Sequence, residues 1–84
     1  MKYPVYSIRD KIRNKFGVDL MVQDNDQAAL RTFSYIINNP NGLPSFSPSD
    51  YDLFKIGSFD CESGQFESIL PEFVVNGGSV FVEK

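Results

Sequence analysis

Tyr51-Asp52-Leu53-Phe54-Lys55-Ile56-Gly57-Ser58-Phe59-Asp60 is a run of aromatic and branched residues that leaves through an acidic side chain into Cys61-Glu62-Ser63-Gly64. Leu53 to Phe59 has the composition of a strand, and the residues after Asp60 have that of a glycine turn. Gln65 to Leu70 then returns antiparallel. This register sets Phe59 opposite Phe66 and Ile56 opposite Ile69, both favourable cross-strand pairs. Gly57, alone among large side chains, marks a bulge or a close backbone approach. Nothing in the stretch is suited to bond-breaking, so it speaks to fold before chemistry.

Upstream lies an amphipathic helix. Asp24 can cap it with Gln27 completing a capping box, and Asn25 is the competing cap. Ala29, Phe33, Ile36 and Ile37 fall on one stripe at helical spacing, with Leu30 beside it. Asn38-Asn39-Pro40 ends it, because the residue before a proline is pushed out of the helical region. Residues 41–48 read as loop, and Ser47-Pro48-Ser49-Asp50 as a short helical turn.

Before the helix, Tyr3 to Arg9 reads as a strand with Pro4 near its start or at a sheet edge. Asp10 to Gly17 is a long hairpin connection, and Val18 to Val22 a shorter second strand. After Leu70, Pro71 breaks the strand. Phe73-Val74-Val75 and Val80-Phe81-Val82 flank Asn76-Gly77-Gly78-Ser79, so residues 76–84 form a terminal strand or a tail. The order β-β-α-β-β predicts one α+β domain over residues 1–84, a small antiparallel sheet of four to five strands with one helix on one face.

Composition narrows the chemistry. The chain has 84 residues, twelve of them Phe or Tyr, with neither His nor Trp. Such a length supports one modest core and no deep enzymatic cavity. Without His, the commonest general base and transition-metal ligand is missing. Cys61 is the lone cysteine, which excludes an intrachain disulfide and a cysteine-based zinc site. Asp24 and Asp26 suit a helix start. Asp50, Asp52, Asp60 and Glu62 lack the spacing of a calcium loop, and Ser7, Ser58 and Ser68 have no histidine to activate them. The expectation is no catalytic residue, no metal and no cofactor. No segment approaches the roughly 18 apolar residues of a membrane span, so the expected setting is soluble and intracellular.

Charge is unevenly laid out within a net of −3. Residues 1–16 carry five basic side chains against Asp10 alone, a net of +4, and residues 17–84 carry three against ten acids, a net of −7. Lys2, Arg9, Lys11, Arg13 and Lys15 interleave with Tyr3, Tyr6 and Phe16. Cations that track phosphates beside aromatics that stack bases are the equipment of nonspecific single-strand binders. A solvated hairpin whose lysines keep a sheet edge soluble is the plainer reading of the same residues. A different function class follows from Val74, Val75, Val80, Phe81 and Val82, which are costly to leave in water and suit edge-to-edge self-association.

The Tyr3-Pro4-Val5-Tyr6-Ser7 strand, Arg31 and Phe33 in the helix, Asn38-Asn39-Pro40, Ser49-Asp50-Tyr51, Leu53 to Asp60, Gly64 and Pro71-Glu72-Phe73-Val74 together resemble the small nonstructural protein of gokushovirus-type microviruses, phages with single-stranded DNA genomes. The resemblance covers roughly residues 2–75. It departs at Val18 to Val22, where such proteins often have a proline-rich step, and finds no anchor after Asn76. It implies a DNA-binding protein made in the cytoplasm of the infected bacterium, absent from the capsid, and serving genome single-strand synthesis or packaging. The alternative is an oligomerising module that contacts phage or host replication proteins without binding DNA.

Overall fold

The computed structural model describes residues 1–41, 43 and 46–82. Gly42, Pro44 and Ser45 of the expected loop, and Glu83 and Lys84 of the expected tail, lie outside the described residues. The elements are β1 (Lys2–Asp10), β2 (Lys15–Phe16), β3 (Met21–Val22), α1 (Asp26–Asn38), a 3-10 turn (Pro48–Asp50), β4 (Tyr51–Asp60), β5 (Phe66–Asn76) and α2 (Gly77–Val80). The strands form one antiparallel sheet in the order β2-β1-β4-β5, with β3 also pairing β1. The fold is α+β.

The two-residue period of the strands sorts β1 and β4 into two faces. Tyr6 lies opposite Lys55, Ile8 opposite Leu53 and Asp10 opposite Tyr51, while Ser7 and Arg9 lie opposite Phe54 and Asp52. The first set faces α1. Tyr6, Tyr51 and Leu53 are buried there with Ala29, Phe33 and Ile37 of the helix stripe, and Ile8, Met21, Val74, Val75 and Val80 pack around them. Each fully buried large side chain stabilises the fold by roughly 1.5–3 kcal/mol, so these few residues carry most of the core.

The helix starts one residue later than its first candidate cap. The Asn25 side chain accepts the Ala28 N–H at 2.8 Å, which makes Ala28 the third helical residue, too short to reach back, so no capping box forms. At the other end the Asn39 N–H closes on the Ile36 carbonyl at 3.2 Å. Asn38 donates to the carbonyls of Ser34 at 2.8 Å and Val80 at 3.1 Å, and accepts the Val82 N–H at 2.8 Å. One amide thus ties the helix end to the C-terminal segment.

Four expectations give way to packing. Val18 to Val22 forms a strand only at Met21–Val22 (β3), which pairs the middle of β1 at Val5 and Tyr6; β2 pairs the end of β1, and Val18 between them is 91% exposed. The Gly17 N–H bonds the Ile8 carbonyl at 2.8 Å, the chain leaves β1 over residues 18–20, and the Gln23 N–H to the Pro4 carbonyl at 3.1 Å extends the β3 pairing. Pro71 does not end a strand, because it sits in β5 where the β4–β5 register shifts between Lys55 and Gly57. A bulge tolerates a residue with no N–H. The same shift leaves Ile56 outside the ladder, so its pairing with Ile69 does not form, whereas Phe59 does face Phe66. Residues 76–79 make no hairpin. Asn76 caps α2 by accepting the Gly78 N–H at 2.9 Å, and a Cβ on Gly77 would lie 2.1 Å from the Pro48 carbonyl oxygen. Only glycine lets α2 approach the 3-10 turn so closely.

Candidate nucleic-acid interface

The hairpin between β1 and β2 is built by its own side chains. Asp10 accepts the N–H groups of Ile12 at 3.0 Å and Arg13 at 3.1 Å, and its other oxygen meets the Arg13 guanidinium at 3.1 Å. The Arg13 and Ile12 N–H groups and the Arg13 guanidinium hold the Asp10 carboxyl below the usual carboxylate range. Asn14 takes the left-handed conformation, φ 55°, which asparagine tolerates better than most residues. Arg9 donates to the Asn14 side chain and sets its guanidinium over the Phe16 ring, 5.7 Å from the centroid. The Lys11 N–H bonds the Asp50 carbonyl at 2.9 Å, anchoring the turn on the 3-10 segment. Lys11, Arg13 and Lys15 are exposed.

The remaining sequence candidates part company. Lys2 and Tyr3 sit at the far end of β1, about 25 Å from the hairpin at some 3.3 Å per residue. Lys2 pairs with Glu67 at 3.1 Å, and the Tyr3 hydroxyl meets the Met1 sulfur at 3.1 Å. Tyr6 is a correction: it lies fully buried beneath α1, its hydroxyl donates to Asp26, and no base can reach it. Lys55 completes this group, with Nζ 3.0 Å from Asp26 and 6.0 Å from the Tyr6 ring centroid. Burial and the Asp26 carboxylate push the Tyr6 phenol up, while the Tyr6 and Lys55 bonds hold the Asp26 carboxyl down. Among the residues suited to self-association, Val74, Val75 and Val80 pack on the core, leaving Phe81 and Val82 exposed.

A feature of the sheet surface escaped the sequence reading. On the face turned away from α1, Phe16 of β2 meets Phe54 of β4 at 5.3 Å between centroids and 78° between planes. Phe54 in turn meets Phe73 of β5 at 5.9 Å and 81°. Both are edge-to-face pairs of favourable geometry. Phe16 and Phe54 can touch across β1 because the residue opposite Phe54 is the small Ser7, buried and donating to the Gly17 carbonyl at 2.9 Å. Farther along, the Phe66 ring occupies the space where a Cβ on Gly57 would stand, with Cζ 2.6 Å away. Phe16, Phe66 and Phe73 are 37%, 48% and 58% exposed. Finding the Phe54–Phe73 pair in the sequence would have required the β4–β5 register shift between Lys55 and Gly57.

The charges divide between the faces. Glu67 lies opposite Ser58 and Glu72 opposite Lys55, both at positions that face the helix. Asp52 faces the open side but is 8% exposed and takes the Asn76 amide at 2.7 Å. The open face therefore presents rings and Arg9, with its one strand carboxylate covered.

A family model described as Phage ORF5 protein matches residues 3–80. The chain belongs to the Phage ORF5 protein family. Its span takes in the hairpin, the whole aromatic stripe and α2, and so extends past Asn76, where the resemblance noted above finds no anchor. No curated protein and no solved structure matches this Phage ORF5 protein. Among the described residues no helix is long and apolar enough to cross a membrane. Asp60, flanking the turn at Cys61, accepts the Glu62 N–H at 2.9 Å and the Ser63 N–H at 3.4 Å, which lowers its pKa and gives it a turn-forming role.

Proposed function

We propose that this Phage ORF5 protein is a nonstructural accessory protein of a gokushovirus-type microvirus, made in the cytoplasm of the infected bacterium. In this reading it is left out of the capsid and binds single-stranded DNA through the β1–β2 hairpin during genome synthesis or packaging. It is a binding protein and not a catalyst. The observation that carries the reading is Arg9 stacked over Phe16 on a hairpin that also exposes Lys11, Arg13 and Lys15. A cation beside an aromatic ring can take a phosphate and its base together. The Arg13–Asp10 pair is solvent-exposed on the arginine side and screened by water and salt, so a phosphate can displace it. The acids beyond the sheet are damped by screening beyond about 8 Å at physiological salt.

The test is a salt titration of binding to a labelled single-stranded oligonucleotide. If about four phosphates are contacted, log affinity falls with log salt at a slope near −3. Charge reversal at Lys11 and Lys15 should remove most of that slope, and a flat titration of the natural protein would sink the reading.

A second reading is favoured by β5, an 11-residue edge strand with Leu70 90% exposed. Such an edge invites pairing with another copy or with a phage or host replication protein. Light scattering that returns a strict monomer at high micromolar concentration would rule out the homo-oligomeric form.

A further inference from the structure

We propose that the open face of the sheet is a base-stacking platform that selects single-stranded over double-stranded DNA, with Phe73 its principal exposed ring; this rests on the single-strand-binding reading above. Phe16, Phe54 and Phe73 cross β2, β1, β4 and β5 as one stripe, beginning at the cationic hairpin and ending on the edge strand. Phe54 is half-buried and meets both neighbours edge-on, so it spaces and props the two more exposed rings. Centroid separations of 5.3 and 5.9 Å exceed the roughly 3.4 Å between stacked nucleotides of one duplex strand. A strand that follows the stripe must open its own stacking and lay its bases on rings one at a time. A duplex, with its bases turned inward, cannot do so.

Charge identifies the occupant. A protein partner for an apolar face meets no electrostatic preference, but here the stripe begins under the Arg9 guanidinium, with Lys15, opposite Asp10, on the other face of the same hairpin. The face's one strand carboxylate, Asp52, is buried and hydrogen-bonded, while Glu67 and Glu72 point to the helix side. Planar apolar groups joined by phosphates match that layout. Gly57 and the Phe66 ring above it continue the aromatic surface toward the far end of the sheet.

The experiment compares three probes of equal length, oligo-dT, an abasic deoxyribose-phosphate oligomer and a blunt duplex, against the natural protein, Phe73→Ala and Lys11→Glu/Lys15→Glu. Phe73 is more than half exposed, so its truncation should leave the thermal melt close to that of the natural protein, and Phe73→Tyr serves as the conservative control. The expected result is that the natural protein prefers oligo-dT to both other probes. Phe73→Ala should lose roughly 5- to 100-fold for oligo-dT and little for the abasic strand, and Phe73→Tyr should restore binding. The charge reversal should weaken oligo-dT and abasic binding alike. Equal binding of oligo-dT and abasic strand by the natural protein overturns the platform while leaving DNA binding by the hairpin intact. An undiminished dT preference in Phe73→Ala also overturns it. Binding to no probe overturns the single-strand reading itself, and the platform with it.

Discussion

At Gly57 the sheet has no room for a methyl group. A Cβ there would stand 2.4 Å from the Glu67 carbonyl oxygen and 2.6 Å from the Phe66 ring, so backbone and ring would both have to move. We expect Gly57→Ala to destabilise the protein by about 1–3 kcal/mol, seen as a fall of at least about 4 °C in Tm. Asp26 governs a different property. The Tyr6 hydroxyl, then Lys55, hold its folded pKa below the unfolded value. Its contribution to stability is therefore fully present above the ordinary carboxylate pKa of about 3.9 and is lost as pH falls through the folded value. Asp26→Asn should flatten the acid limb of stability against pH, so that the variant and natural protein converge between about pH 5 and pH 2. Asp10 and Asp60, also lowered, should leave a residual slope. A variant whose acid limb superimposes on that of the natural protein would refute this role for Asp26.

Among the elements, Asn38 links two that are far apart in sequence. Its amide satisfies Val80 and Val82 of the C-terminal segment as a strand neighbour would. Asn38→Ala should cost about 1–3 kcal/mol and raise hydrogen exchange at the Val82 amide well above that at helix amides such as Phe33. If the Val82 amide exchanges no faster, the tether is not what holds the segment. The sequence shows Asn38 only as a helix stop, since the partner carbonyl lies 42 residues away. The helix was legible because Ala29, Phe33 and Ile37 repeat at its own period. β4 and the Phe59–Phe66 pairing were legible because a short turn fixes register. β2 and α2 were not, and β3 was legible only as the last two residues of a longer expected strand, for each depends on a tertiary contact: Gly17 on Ile8, Gln23 on Pro4, Gly77 on Pro48.

For the whole molecule, the fold turns a charge gradient along the chain into a difference between surfaces. The cations of residues 9–15 gather on one hairpin, as their spacing suggested, but Lys2 and Tyr3 end up at the opposite pole and Tyr6 in the core. The rings of Phe54 and Phe73 are legible as strand residues. Their alignment with Phe16 is not, because it depends on the small Ser7 between them and on bulges no local pattern announces. We expect the charge-reversed hairpin to retain the natural Tm within about 1 °C, as exposed cations contribute little to stability. A large drop would mean that the hairpin cations serve folding. The protein is elongated, 42 × 24 × 20 Å, and its lone cysteine follows the strand end most distant from the hairpin, with the Cys61 N–H on the Met1 carbonyl at 3.2 Å and the thiol exposed. The rod thus carries a single labelling handle at one pole and, at the other, the hairpin proposed to take the strand. A donor dye on Cys61, read against acceptors placed on either end of an oligonucleotide, would report which way the strand runs across the rod.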